Sequence, residues 1–317
     1  MESEKYRIGI IGLGPIGQTL AVHFKEAGCD VAITDLDREK LNLIRKQGIE
    51  LVGKIEKKSF FKYVYYSIQE MLEHDIDILI SAVKAYHVDS ILKQIETYNQ
   101  KELFLLSAQN GIDIRKKYTS HFSESRIFRM VVNFAGNLQA PNTVFENFFV
   151  PPNYVASVND SQTEIAEWIA RTLTSVNLET RTVDSFVVAD KIWEKTILNA
   201  ALSPICAISR LTMKEAMDNP DTLEIVEQIL YECVAVAKTE EIKLPENFVK
   251  LGIRYLSQAG NHMPSLGVDL INKSPTEIDY MNGKIVEYGR KHYIKTPLNL
   301  TLTNLVKAIQ CKNGNSK

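Results

Sequence analysis

The stretch from Tyr6 to Gly17, YRIGIIGLGPIG, constrains this chain more than any other. A short apolar run leads without a spacer into Gly12, Gly14 and Gly17, the G-x-G-x-x-G spacing. Each glycine in such a loop meets a different demand, respectively a tight turn, close backbone approach to a pyrophosphate, and close packing of the next helix on the sheet. The pyrophosphate then meets the N-terminus of a helix over IGQTLAVHFKEAG, where free amides and the helix dipole favour negative charge. Gly12, Leu13, Gly14, Pro15, Ile16 and Gly17 together form the candidate cofactor cradle.

A second strand, CDVAITD, follows the helix and ends on Asp35, eighteen positions after Gly17. A carboxylate at that distance is placed to accept hydrogen bonds from the adenosine ribose hydroxyls. It also repels a 2′-phosphate, so Asp35 favours NAD(H) over NADP(H). Arg38 and Lys40 come next and could soften that repulsion, but both are read as solvated helix residues.

Further runs, DIDILISAV, ELFLLSAQNG, RIFRMVVNF, NYVASVN and LETRTVD, read as strands alternating with helices, which predicts a largely parallel doubly wound sheet. Ser161 and Glu164 form an S-x-x-E start for a helix reaching about Val176. In open α/β sheets ligands bind beyond the carboxyl ends of the strands. Lys84 and Asn110, which stand at the ends of two of these runs, are therefore candidates for cofactor or substrate contact, against a solvated loop lysine and a plain Asn-Gly turn.

With 317 residues the chain exceeds one compact core, and the pattern changes near Phe186 to longer amphipathic stretches without a strand. The expected architecture is a Rossmann-like doubly wound domain over residues 1–185 followed by an all-helical domain over residues 186–317 that carries substrate and catalysis. In the second half, Leu223, Val226, Ile229, Leu230, Cys233 and Val234 share one helical face and are assigned to the core. Only the polar tail CKNGNSK is expected to be disordered.

Charge excludes some functions. Lys and Arg number 37 against 39 Asp and Glu, which leaves no field for nucleic acid or an anionic membrane surface. Four scattered cysteines without a CxxC pair fit a reducing, cytoplasmic setting. The start MESEKYRIGIIG lacks the basic region of a signal peptide, and no apolar stretch has the length of a membrane span. The six histidines show neither metal-ligand spacing nor a paired nucleophile, so no metal site is expected.

Within the helical half, WEKTILNAALSP carries Lys195, Asn199 and Ser203 at a spacing of four, one polar stripe on an otherwise apolar helix. Asn199 has a structural alternative in a buried carbonyl, and Ser203 in the kink imposed by Pro204. Downstream, SPTEIDYMNGKIVEYG begins another helix and carries Glu277, which Ser274 and Pro275 alternatively place in a capping arrangement.

Taken in order, GLGPIG, VKAYHVD, QNG, IWEKTILNAALSP, PSLGVDL, TEIDYMNG and TPLN resemble the ketopantoate reductase family over almost the whole chain. That resemblance implies reduction of ketopantoate to D-pantoate on the route to pantothenate. Lys195 would be the general acid, Glu277 its partner, and Asn110, Asn199 and Ser265 would hold substrate, with Ser203 beside them. The family also makes NADP(H) possible. A lysine ammonium suits this reaction because it both stabilises a developing alkoxide and gives it a proton; partial burial would lower its pKa, while a nearby carboxylate would hold it protonated. The stripe is then expected to line a cleft between the domains.

Two departures concern substrate. Family members commonly have a second asparagine where Ser203 stands, and SLGVDL differs from the usual run after the serine. Together with Asp35 they point to an alternative within the family, an NADH-dependent D-2-hydroxyacid dehydrogenase acting on another 2-keto acid such as a mandelate-type substrate. A non-catalytic dinucleotide sensor or scaffold, and a dehydrogenase of sugar acids or opines, are the readings from outside it. The amphipathic helices also allow a homodimer.

Overall fold

The computed structural model describes residues 6–97 and 103–314, which form two compact units. The first comprises the described residues up to Gln109 together with Asp113–Val188, and the second Asn110–Ile112 together with the residues from Ala189 onward.

The first unit holds twelve strands. They are β1 (Arg7–Ile11), β2 (Asp30–Thr34), β3 (Ile49–Gly53), β4 (Lys57–Ser59), β5 (Tyr63–Tyr65), β6 (Ile78–Ser81), β7 (Phe104–Ser107), β8 (Ile127–Val131), β9 (Phe134–Ala140), β10 (Thr143–Phe149), β11 (Asn153–Ser157) and β12 (Thr180–Thr182). Its helices are α1 (Pro15–Glu26), α2 (Arg38–Gln47), α3 (Ile68–Leu72), α4 (Val88–Glu96), α5 (Ile114–Thr119) and α6 (Thr163–Thr174).

Eight strands form one sheet in the order β12-β11-β8-β7-β6-β1-β2-β5, parallel throughout except where β11 meets β8. The central strand β1 pairs on one side with β2 (Ile8 opposite Val31) and on the other with β6 (Ile8 opposite Ile78). Ile8 and Ile10 are fully buried, as a strand covered on both faces requires. The chain leaves β1 in opposite directions to its two neighbours, which creates the crevice at the carboxyl ends of β1 and β6 where such folds take ligands.

A second sheet, in the order β4-β3-β10-β9, departs from the single sheet that the sequence pattern predicts. It lies against α1, to which it is tied by Gln18 on the Pro141 carbonyl and by Thr19 on Glu146 of β10. The capping box expected at Ser161 is also absent. The helix begins at Thr163 after Gln162, with no side-chain cap, because the Ser161 hydroxyl and amide both turn to Asn159 Oδ1.

The second unit is helical, with no strand among its described residues. It contains α7 (Ser185–Ser209, from Ala189), α8 (Met213–Asp218), α9 (Pro220–Thr239), α10 (Phe248–Leu256), α11 (Ser265–Ile271), α12 (Asn282–Lys291) and α13 (Pro297–Lys312). Asn219 starts α9 by accepting from the amides of Asp221 and Thr222, with Pro220 in the first turn. Ile197, Ala201, Ile229, Cys233, Ile285 and Val306 are fully buried and form the middle of the core. Cys311 and Lys312 of the supposed tail belong to α13, whereas residues 315–317 lie outside the described residues. No helix among the described residues is long and apolar enough to cross a membrane.

Candidate active site

The glycine loop has the geometry of a phosphate cradle. Gly12 takes φ +90°, and a side chain there would meet Val83 N at 2.9 Å. A Cβ on Gly17 would stand 1.9 Å from the Gly12 carbonyl oxygen, so the loop closes on itself only with glycine at that position. At Gly14, by contrast, an added Cβ meets nothing within 4 Å: the backbone there borders open space. Gly14 is also the N-cap of α1 without a side-chain cap, which leaves the first-turn amides free of any side-chain acceptor. These features fit a dinucleotide pyrophosphate.

Two groups hold the loop in place. Gln18 Nε2 donates to the Leu13 carbonyl at 2.8 Å from beneath, and the Leu13 amide donates to Asp35 Oδ2 at 2.6 Å. Asp35 therefore ties the end of β2 to the loop. Its other oxygen, Oδ1, accepts from the Asp37 amide at 2.9 Å and from Lys40 Nζ at 3.3 Å. The expectation that Lys40 is merely solvated is thereby overturned: it turns back from α2 onto Asp35. Arg38 is exposed, as expected.

At the carboxyl ends of β6, β7 and β8 lies a buried polar network that the QNG motif marks only at Gln109. Gln109 Nε2 donates to the Ser81 hydroxyl at 2.7 Å and carbonyl at 2.9 Å, while Gln109 Oε1 accepts from Ser107 at 2.5 Å and Tyr118 at 3.1 Å. Arg129, buried in β8, donates to Ser107 Oγ and to the Gln109 carbonyl. The network fixes the residue immediately before Asn110. Lys84, half-buried, stands just ahead of the 3-10 turn Ala85–His87.

In the second unit Lys195, Asn199 and Ser203 all lie on α7, two half-buried and Ser203 buried. Glu277 is buried and precedes a 3-10 turn, Ile278–Tyr280, rather than a helix started by Ser274. No helix begins at Ser274, so the capping arrangement offered for Glu277 does not form. The Asn110 segment reaches the same turn: Ile112 N donates to the Tyr280 carbonyl at 3.0 Å, and Gly111, at φ +105°, leaves no room for a Cβ beside Tyr280. Ser265 is exposed at the start of α11, which packs on α7 where Gly267 meets Ala207.

A further group locks these segments together. Pro204 lies inside α7 and has no N–H for the carbonyl of Ala200, four residues earlier. Asn282 Nδ2 supplies that donor at 2.9 Å. It also donates to Asn299 Oδ1 at 3.0 Å, and Asn299 is held in turn by Glu232 at 2.7 Å. The first residue of α12, five positions after Glu277, is thus pinned to α7 one residue past Asn199. The motifs were visible in MNG and TPLN, but this role was not, because it depends on a carbonyl that Pro204 frees.

Replacing Asn282 with alanine is expected to destabilise the second unit by about 2–3 kcal/mol, since the buried Ala200 carbonyl loses its donor and Asn299 Oδ1 keeps only the weak Cys233 Sγ contact at 3.7 Å. Pro204→Ala in the same chain should recover part of that loss by restoring the helical bond to Ala200. Urea denaturation followed by the emission of buried Trp193 measures both, and strictly additive losses would refute the link.

Residues 8–150 match the family model described as Ketopantoate reductase PanE/ApbA, and residues 187–310 the one described as Ketopantoate reductase PanE/ApbA C terminal. Curated relatives include the 2-dehydropantoate 2-reductase of Streptococcus pyogenes, 28% identical over 303 residues that span 94% of this chain and 96% of the relative. That of Aquifex aeolicus is 28% identical over 315 residues, 96% of this chain and 97% of its own. Among solved structures, a ternary structure of D-mandelate dehydrogenase with NADH and anilino(oxo)acetate superposes with a TM-score of 0.86 at 24% identity, covering 97% of this chain and 99% of that one. A PanE/ApbA family ketopantoate reductase from Ralstonia eutropha gives the same TM-score of 0.86, identity of 24% and coverage of 97% and 99%. At that identity the structures establish the shared fold.

Proposed function

The chain belongs to the ketopantoate reductase family, and on that premise we propose that it reduces the ketone of a 2-keto acid, ketopantoate to D-pantoate, with NAD(P)H. The observation that carries the reading is the joint presence of a glycine cradle braced by Asp35 and a helix, α7, on which Lys195 and Asn199 sit beside the pinned 277–282 segment.

When bound, the nicotinamide dinucleotide supplies the hydride. The amides of the glycine loop and the N-terminus of α1 hold its pyrophosphate, and Asp35 takes the ribose hydroxyls, which favours NADH. Lys84 and Asn110 contact the cofactor from the strand ends. Lys195 Nζ hydrogen-bonds the ketone oxygen, stabilises the charge that develops there and gives it a proton. Glu277 keeps that ammonium charged and aimed, while Asn110, Asn199, Ser203 and Ser265 orient the substrate.

A second substrate has specific support. The family resemblance sets Ser203 against a common asparagine, Asp35 favours NADH, and a D-mandelate dehydrogenase with NADH shares the fold. An aryl 2-keto acid is the substrate that combination favours. Oxidation of NADH and of NADPH, followed by absorbance with ketopantoate and with phenylglyoxylate, separates the two. Turnover of ketopantoate is the expected result. Turnover of phenylglyoxylate alone would assign the mandelate-type reaction, and no turnover of any 2-keto acid would refute the proposal.

A further inference from the structure

We propose that Lys40 determines cofactor choice: its ammonium neutralises Asp35 and takes the 2′-phosphate of NADPH, so that the site admits NADPH as well as NADH. The inference rests on the reading of the first unit as the dinucleotide-binding domain and extends it to a residue that no motif marks.

Three features of the geometry carry it. First, the carboxylate of Asp35 is not free to move aside for a phosphate, because Oδ2 holds the Leu13 amide of the glycine loop at 2.6 Å. Second, its other oxygen is in an ion pair with Lys40 at 3.3 Å, and each side chain is only 13% accessible, so the pair is sheltered from the screening that weakens surface contacts. Third, Lys40 rises from the first turn of α2 on a flexible four-carbon stem, and its ammonium can pivot from Asp35 Oδ1 to a group placed beside it. A ribose with a free 2′-hydroxyl leaves the pair intact and donates to the carboxylate. A 2′-phosphate arriving at the same oxygen meets the ammonium instead.

Of the neighbouring charges, Asp37 and Arg45 are held by hydrogen bonds and Arg38 is exposed. Asp37 caps α2 by accepting the Lys40 amide at 3.0 Å. Arg38 lies over the Tyr66 ring with its guanidinium 5.9 Å from the centroid, and Arg45 is bonded to the Tyr66 hydroxyl and the Val64 carbonyl. Asp37 adds negative charge close by, which keeps NADH the preferred partner.

The test is titration of NADH and NADPH onto the wild-type protein, K40M and K40R by fluorescence, without any keto acid, with thermal melts to verify folding. The wild type should bind both. In K40M the ratio of the NADPH to the NADH dissociation constant should widen about tenfold, the effect of one charge-assisted hydrogen bond, and in K40R it should return to within about threefold of wild type. An unchanged ratio in K40M, or a wild type that binds NADH but not NADPH, overturns the role of Lys40 and leaves the proposed function standing. A wild type that binds neither dinucleotide overturns the domain reading and the role of Lys40 with it.

Discussion

Lys195→Met is expected to lower kcat on the 2-keto acid substrate by roughly 10²–10⁴-fold, the usual contribution of a positioned proton donor. The position isolates chemistry from folding. Lys195 is half-buried on α7, whereas its neighbours Thr196 and Ile197 are 2% and 0% exposed and anchor the helix in the core. Methionine keeps the length and apolar stem of the side chain and removes only the ammonium. Lys195→Arg then divides the two roles assigned to that group. Arginine retains the charge that stabilises a developing alkoxide but does not release a proton at accessible pH. It should hold KM near the wild-type value while kcat stays depressed. Steady-state kinetics on the two variants decide the matter, and a kcat within threefold of wild type in Lys195→Met would remove Lys195 from the mechanism.

What could be read from the sequence was what local pattern encodes. The three glycines after β1 and the acidic end of β2 are close in sequence and placed the loop, and Val226, Ile229, Leu230 and Cys233 gave the buried face of α9 through helical spacing alone. The second sheet escaped because its strands depend on distant partners. β3 pairs with β10 (Glu50 opposite Thr143), and β4 is the polar triplet KKS, which has no strand signature without β3 beside it. The two capping motifs were misleading for a related reason: Ser161 found a nearer acceptor in Asn159, and the chain at Ser274 continues without helix as far as Ile278. Lys40 and Asn282 show how much of a side chain's role its local sequence leaves unstated. One is defined by the turn that folds α2 back on Asp35, the other by the carbonyl that a proline leaves without its donor.

The second sheet also sets up a pair of opposed titrations against α1. Glu146 of β10 is 1% exposed; one oxygen accepts from the Thr19 hydroxyl and the other has no partner, so burial pushes its carboxyl up to about 7 from an ordinary 4.5. His23 of α1 is fully buried, with Nδ1 on the Thr19 carbonyl at 2.7 Å, and burial brings its imidazole down to about 4 from 6.5. Lys57 lowers it further, while the Thr19 contact and Glu26 raise it. For Glu146 the folded state binds the proton more tightly than the unfolded chain. Its contribution to stability is therefore complete below pH 4.5 and lost as pH rises through 7. His23 behaves oppositely, with stability present above pH 6.5 and lost as pH falls through 4. Each shift corresponds to about 3 kcal/mol. Between pH 4.5 and 6.5 folding puts a proton on Glu146 and takes one from His23, so the two slopes cancel and these residues leave the wild-type profile nearly flat. Glu146→Gln should break the balance. It should gain about 3 kcal/mol over wild type at about pH 8, where the buried carboxylate is ionised, and gain nothing below about pH 4.5. His23→Gln should show the mirror image, losing stability as pH rises from about 4.5 to 7. Trp168, which packs on Tyr6 and Phe24 in the first unit, reports its unfolding once Trp193 is replaced by phenylalanine. Urea midpoints across about pH 4–8 that run parallel in all three proteins would show that neither group carries the burden of burial assigned to it.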